Sequence, residues 1–219
     1  MPNEIEPYIP DAPSGTTFTL DQLQRQTHVR YGGIAWPGRR PGFGVVLALG
    51  KEKHFGSSNV YLLDEVESSD MRELIHRCAG LDAKHVPTWW VGDNRNSAAS
   101  RFIHELNAAQ QPPPNDYEDT PNRKGFYVCP SQLLDIERPY EYMLPTLKAL
   151  LDKDRRQLFL KDSRIIPYLG EIKPDEIPYL EWGEYPAIEA LTFAAWEITR
   201  WRPPEPNHRY SHRRSKVRM

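Results

Sequence analysis

The 219-residue sequence is 39% hydrophobic and 26% charged, a composition that predicts one folded domain with tails and excludes a chain that is disordered throughout. Its formal net charge is −2, and its 21 prolines are concentrated at the N-terminus, at residues 112–114 and around residues 203–206, where extended tails or loops are expected. The sequence has no apolar run long enough to cross a membrane and no secretion signal, so we expect a cytoplasmic protein without membrane contact.

Several common chemistries are excluded by the motifs that the sequence lacks. Cys78 and Cys129 lie far apart and neither belongs to a C-x-x-C pair, so we expect both thiols to be reduced and no zinc site. The histidines have no metal-ligand spacing. The sequence contains neither a phosphate-binding Walker loop nor a G-x-S-x-G nucleophile motif.

Apolar segments in the first third of the chain predict a three-strand antiparallel meander after a short helix at residues 19–27. The predicted strands are residues 29–36, 44–49 and 59–63.

The rest of the chain is predicted to alternate helices with short strands. Asp70 and Glu73 are spaced as a capping box, so a helix is predicted to begin there, and its apolar spacing ends near Gly80. Residues 110–123 are polar and proline-rich, which predicts a surface loop. The other predicted elements are a strand at 87–91, helices with apolar faces at Ala99, Phe102, Ile103 and Leu106 and at Met143, Leu147, Leu150 and Leu151, a strand at 157–160, a helical turn at 165–172, and a last helix from Tyr185 and Pro186.

The order of these elements predicts an α/β domain with a mixed sheet and helices on both of its faces. We expect an N-terminal extension over residues 1–28, the domain over residues 29–202 and a basic tail over residues 203–219.

The last twenty residues are rich in basic side chains and contain one acid, Glu205. Such a tail is either a phosphate-binding arm or a solvated segment without a specific partner, and charge alone does not separate the two. The basic residues are Arg200, Arg202, Arg209, Arg213, Arg214, Lys216 and Arg218.

Asp93 is the strongest candidate for a functional side chain. It directly follows a short apolar strand and precedes a helix, and ligands of open α/β sheets bind at the carboxyl ends of strands. The alternative is that Asp93 caps the helix that follows it.

Further carboxylates are expected at the same edge. Asp64 and Glu65 are predicted to end the third strand, and Glu189 lies in the first turns of the last helix. Carboxylates that converge on one edge can hold Mg²⁺ or Mn²⁺, and two such ions can promote phosphodiester cleavage. The alternatives are a solvated strand end for Asp64 and Glu65 and an exposed rim position for Glu189.

The order of these motifs resembles the nuclease domain of the large terminase subunits of tailed double-stranded-DNA phages, which has a ribonuclease H-like fold. The resemblance covers residues 29–201. It is carried by YGGIAWPG at 31–38, VYLLDE at 60–65, VGDN at 91–94, the segments at 157–160 and 165–172, and EYPAIEALTF at 184–193.

The resemblance implies a metal-dependent endonuclease that uses one or two Mg²⁺ or Mn²⁺ ions to cut double-stranded DNA during viral genome packaging. The family's first metal-binding aspartate is replaced by Ala35, whereas Asp93 matches the family and Glu189 matches it conservatively. Glu65 or Asp64 is the candidate to supply the missing ligand.

The resemblance also implies partners. These are DNA, held by Arg39, Arg40 and the basic tail, and a separate packaging ATPase, small terminase subunit or portal. Because Ala35 removes one ligand, the competing hypothesis is a catalytically inactive ribonuclease H-like module that binds DNA or a packaging protein.

Overall fold

The structure, a computed structural model, describes residues 27–50, 60–110, 125–151, 158–160, 163–173 and 175–200. Six strands within these residues form one sheet in the order β5-β4-β1-β2-β3-β6. The strands are β1 (Thr27–Ala35), β2 (Gly42–Gly50), β3 (Val60–Ser68), β4 (Trp89–Gly92), β5 (Val128–Pro130) and β6 (Leu158–Phe159).

The sheet is mixed, as the sequence predicts. The strands β1, β2 and β3 form an antiparallel meander. The strand β4 is parallel to β1, β5 is parallel to β4, and β6 is parallel to β3. Among the described strands, β2 alone therefore runs against the others, and the carboxyl ends of the other five lie at one edge. The mixed sheet built on this meander agrees with the α/β architecture that the sequence predicts.

Helices cover both faces of the sheet. The side that α5 packs against, here called the α5 face, also carries α3 and α4, and the opposite side, the α1 face, carries α1 and α2. The helices are α1 (Met71–His85), α2 (Ser97–Gln110), α3 (Pro139–Leu151), α4 (Ile165–Glu171) and α5 (Pro186–Arg200).

The alternation of side chains along the central strands produces one apolar cluster on each face. Tyr31 and Ala35 of β1 contribute to the cluster on the α5 face, and Ile34 contributes to the cluster on the α1 face. At Gly33 a β-carbon would lie 1.9 Å from the carbonyl oxygen of Ala190. Glycine is therefore required there for α5 to pack directly on β1.

The third strand is longer than the sequence predicts, and this corrects the expected position of its acids. Asp64 and Glu65 do not end β3, because the strand continues to Ser68. An irregularity in the pairing with β2 lies just before them, since Leu47 pairs with Leu62 and the preceding Val46 pairs with Asp64. Asp64 bonds to α1, whereas Glu65 bonds to the start of α4, so the two carboxylates point to opposite faces.

The helix α1 begins as predicted and ends later. The Asp70 side chain accepts a hydrogen bond from the Glu73 backbone N–H, which confirms the cap. The prediction that the helix ends near Gly80 is wrong, because the helix continues to His85 and buries Leu81 and His85. An exposed glycine inside a helix costs only about 1 kcal/mol, and the packing beyond it outweighs that cost.

The sequence does not predict β5, whereas the remaining helices and strands lie close to their predicted positions. Neither cysteine forms a disulfide bond among the described residues. The predicted helix at 19–27 and the loop at 110–123 fall almost entirely outside the described residues, although Thr27 belongs to β1 and Gln110 to α2. The tail at 203–219 is also outside them. None of the helices that the structure describes is long and apolar enough to cross a membrane.

Candidate functional site at the carboxyl edge of the sheet

The carboxyl edge brings together distant segments of the chain. The indole N–H of Trp36, just after β1, donates a hydrogen bond to the backbone oxygen of Asp93, just after β4. The guanidinium of Arg40, in the β1–β2 turn, lies 4.3 Å from the ring centre of Tyr185, which precedes α5. These contacts anchor the end of β1 to the end of β4, and the β1–β2 turn to the start of α5.

Asp93 is at this edge, but it is not the cap of the helix that follows. Its Oδ1 atom accepts hydrogen bonds from the backbone N–H and the side-chain Nε of Arg95, both at 3.0 Å. The cap of α2 is Asn96, whose Oδ1 accepts from the Ala99 N–H at 3.1 Å. The carboxylate of Asp93 is about one third exposed, at 35%, and carries its own cation in Arg95.

Ala35, where the resemblance implies a metal-binding aspartate, lies in an apolar environment. Ala35 is only 3% exposed and belongs to the apolar cluster on the α5 face. It offers no oxygen ligand.

Glu189 is buried rather than at an exposed rim. It is 4% exposed, and its Oε1 accepts hydrogen bonds from the Tyr140 hydroxyl at 2.6 Å and from the Gly183 N–H at 2.7 Å. The Tyr140 hydroxyl accepts in turn from the Tyr185 N–H at 2.7 Å. Burial raises the pKa of Glu189, although these hydrogen bonds oppose the rise. The carboxyl group therefore fastens the loop before α5 to α3.

Glu65 is bound to the start of α4. Its two carboxylate oxygens accept hydrogen bonds from the Ser163 hydroxyl and the Arg164 backbone N–H, each at 2.6 Å. This position is on the α5 face of the sheet. Glu65 thus satisfies backbone and side-chain donors at the beginning of a helix, a role that anionic side chains commonly have.

Asp64 is on the other face, with basic neighbours from α1. Its Oδ2 lies 2.6 Å from Nζ of Lys84 and 3.0 Å from Nε2 of His85. Burial opposes ionisation of Asp64, but the hydrogen bonds from Lys84 and His85 hold its pKa below the ordinary value. Asp64 and Glu65 therefore cannot act together on one ion at one face of the sheet.

The residues present do not fit a two-ion centre. The described part of the chain contains no group of three or more His, Cys, Asp or Glu side chains placed to hold a metal ion. Asp93, Glu189, Glu65 and Asp64 each bond to a partner within the chain. Metal binding by these four residues stays a prediction.

The arginines expected to bind DNA are also paired. Arg40 forms an ion pair with Glu171, and Nη1 of Arg39 lies 3.7 Å from the Glu184 carboxylate. The Arg39 side chain is nonetheless 87% exposed, so this pair is weak and open to solvent. Arg200 is the last residue of α5, and the rest of the basic tail is outside the described residues.

Sequence reasoning missed two features of this edge. Tyr140 is the partner of Glu189 from 49 residues earlier, and no local pattern indicates that pairing. A cleft of about 460 Å³ lies beside Asp93 on the α1 face. The sequence does contain a pattern that indicates this cleft, because the polar residues Ser100, His104 and Asn107 recur at helical spacing on one side of α2.

Two solved structures are similar to this chain in fold. The large terminase of the thermophilic bacteriophage D6E has a TM-score of 0.49 at 11% sequence identity, and the similarity covers 79% of this chain and 40% of that one. The nuclease domain of g2p, the large terminase of bacteriophage SPP1, solved with bound Mn, has a TM-score of 0.48 at 17% identity, over 82% of this chain and 92% of that one. No protein-family model and no curated protein matches the sequence. Both neighbours are large terminases, the family that the order of motifs resembles, and the similarity is one of fold.

Proposed function

We propose that this chain is a ribonuclease H-like module of a phage DNA-packaging machine that binds DNA and does not cleave it. The observation that carries the proposal is the state of Glu189, whose buried carboxyl group already accepts hydrogen bonds from Tyr140 and Gly183. A metal ion that bound this oxygen would have to displace both donors, and the buried Tyr140 hydroxyl would be left unbonded. Leaving such a donor unbonded costs about 1–3 kcal/mol.

The replacement at Ala35 supports the same proposal. Two-ion cleavage needs several oxygen ligands around the ions, which stabilise the attacking and leaving oxygens. Position 35 is an alanine and the Glu189 carboxyl group is buried and already hydrogen-bonded, which leaves Asp93 with Arg95 as its neighbour. A single exposed carboxylate paired with an arginine does not provide that ligand set.

The DNA-binding part of the proposal rests on charge. Acidic side chains outnumber basic ones in the described residues, whereas the segment after α5 is strongly basic. Phosphate contacts would therefore come from that segment, together with the exposed Arg39. Such contacts bind the DNA backbone without reading its sequence, and they weaken steeply with salt.

The competing proposal is a metal-dependent endonuclease in which Asp93, Glu189 and Glu65 hold Mg²⁺ or Mn²⁺. It is favoured by the shared direction of β1, β3 and β4, whose carboxyl ends lie at one edge. This proposal requires Glu189 and Glu65 to leave their present donors when an ion binds.

One experiment separates the two proposals. The full chain is incubated with supercoiled plasmid and Mn²⁺ or Mg²⁺, and its affinity for a DNA duplex is measured at increasing salt. We expect no nicking, and an affinity that falls with salt and persists in Asp93→Ala. Replacing Arg213 and Arg214 together by alanine should reduce the slope of log affinity against log salt concentration by about 0.9 for each phosphate contact that the variant loses.

The outcomes that oppose the proposal are distinct. Nicking that requires Mn²⁺ and disappears in Asp93→Ala would establish the endonuclease instead. Failure of the full chain to bind DNA even at low salt would remove the DNA-binding role.

A further inference from the structure

The cleft is formed where three strands, β1, β4 and β5, meet one helix, α2. Trp36 follows β1, Asn94 follows β4, and Tyr127 and Val128 lie at the start of β5. The fourth side is one surface of α2. The cleft has a volume of about 460 Å³, and the residues of α2 that line it are Ser100, Ile103, His104, Asn107 and Ala108.

The topology of the sheet favours a ligand site at this place. The chain leaves β1 toward β2 on one side and leaves β4 toward β5 on the other. Two neighbouring parallel strands whose connections diverge in this way leave a crevice outside their carboxyl ends, which is where open α/β sheets bind ligands. Trp36 directly follows β1, and Asn94 lies two residues after the end of β4.

The floor of the cleft is held rigidly by hydrogen bonds. The indole N–H of Trp36 donates to the Asp93 backbone oxygen. The side-chain amide of Asn107, which is 7% exposed, donates to the Phe126 oxygen at 2.9 Å and accepts from the Phe126 N–H at 2.8 Å. The rim consists of exposed residues, among them Asn94, His104 and Tyr127.

The lining determines the chemistry of the ligand. It contains no Asp, Glu, Lys or Arg among the described residues, so it favours an uncharged group. Its aromatic rings, Trp36 and the half-exposed Tyr127, can contact a flat ring, and stacking on aromatic side chains is how proteins hold unstacked bases. The carboxamide of Asn94 offers both donors and an acceptor.

From these features we propose that the cleft takes an unpaired nucleobase of single-stranded DNA. A base edge carries several polar groups that a carboxamide and an imidazole can match, whereas the side chain of Phe, Tyr or Trp in a peptide carries at most one. The volume is in the range that holds a ligand of nucleoside size. Arg95, next in sequence to Asn94, pairs with Asp93 and is 57% exposed, so its guanidinium can also contact the attached phosphate.

This inference rests on the proposed DNA-binding function and specifies the form of DNA that the module recognises. A base in the cleft would contact Asn94 and Trp36, which follow the carboxyl ends of β4 and β1. Such a module would hold a strand whose bases are unstacked, for instance at a frayed or cut end.

The test compares three fluorescently labelled probes by anisotropy with the full chain: an oligothymidylate, an abasic strand of the same length, and a duplex. The phosphates of the two single strands are the same, so any difference between them reports binding of bases. The wild type is expected to prefer the oligothymidylate. Tyr127→Ala should weaken binding of that probe roughly 5- to 150-fold and abolish the preference, and Tyr127→Phe should restore it.

Matched variants keep the test independent of folding. Tyr179→Ala removes a tyrosine that is 83% exposed and is not in the cleft, so the preference should persist. His104→Ala removes an exposed side chain of the rim and should weaken the preference in the same direction as Tyr127→Ala. Thermal unfolding of each variant establishes that it is folded.

Equal affinity for the base-bearing and abasic strands would overturn the inference, as would a Tyr127→Ala variant that retains the preference. Failure of the wild type to bind any probe would instead overturn the proposed function. Duplex binding without a preference for bases would overturn this inference alone.

Discussion

The substitution Glu189→Ala tests whether the carboxyl group at the start of α5 is structural. It would leave the Tyr140 hydroxyl and the Gly183 N–H without their acceptor in a site where Glu189 is only 4% exposed. Two buried donors that lose their acceptor cost about 2–6 kcal/mol together. For a domain of this size, that loss corresponds to a fall in melting temperature on the order of 10 °C.

The control for this prediction is Glu184→Ala, at a residue of the same type in the preceding loop. Glu184 is 38% exposed and faces Arg39 at 3.7 Å, so its removal should cost no more than about 1 kcal/mol. Chemical unfolding of both variants gives the comparison directly. Equal losses in the two variants would refute the structural role of Glu189 and leave its carboxylate available to a ligand.

The pH dependence gives a second measurement on the same residue. Because the folded protein raises the pKa of Glu189, the stability that its neutral form contributes is fully present below the ordinary carboxyl pKa. This contribution is lost as the pH rises through the folded pKa. Glu189→Gln keeps an acceptor and does not titrate, so the wild type should lose stability relative to this variant as the pH rises. A difference that stays constant or changes in the opposite direction would contradict the assignment.

Three further predictions concern other parts of the fold. Gly33→Ala should prevent folding or cost several kcal/mol, because the added carbon would lie 1.9 Å from a backbone oxygen of α5. At Gly80 the added carbon meets open space, so Gly80→Ala should stabilise α1 by about 0.5–1 kcal/mol in thermal unfolding. Asp64→Asn should lower the free energy of unfolding by about 1.5–3 kcal/mol at neutral pH, since hydrogen bonds to a charged group are lost. This loss of stability relative to the wild type should disappear as the pH falls through the lowered pKa of Asp64, and a loss independent of pH would contradict the role of the Asp64 charge. Cys78 is buried, and burial raises the pKa of its thiol. A thiol reagent should therefore modify the less buried Cys129 first in the folded protein, and modification of both thiols at the same rate would contradict the burial of Cys78.

The sequence predicted the elements whose apolar residues recur at a clear period. The helix faces at Ile103 and Leu147 are buried as expected, and the meander has its expected pairing. The end of β3 was predicted too early, because its last residues are polar and find their partners on α1 and α4, which local alternation does not reveal. Tertiary hydrogen bonds thus extended a strand beyond its hydrophobic pattern.

The sequence predicted where in the fold the candidate site lies, but it did not predict the hydrogen-bond partners of its carboxylates. The position of Asp93 after a short apolar strand correctly indicated the carboxyl edge. The two alternatives for Glu189 were pairing with a cation and an exposed rim position, and neither included burial against Tyr140, which lies 49 positions away in sequence. Which donors reach a carboxylate depends on how α3 packs against α5, and single-sequence patterns carry no information on that packing.

The burial of Ala35 limits how this chain can change over evolution. An aspartate introduced there would place a charge at a position that is 3% exposed within an apolar cluster, which is costly without a partner. That single acid would therefore lower stability before any ion-binding advantage arose, because Glu189 would still be held by Tyr140. A carboxylate pair contributed by β1 and α5 would therefore need two changes, an acid at position 35 and the removal of the Tyr140 hydroxyl from Glu189.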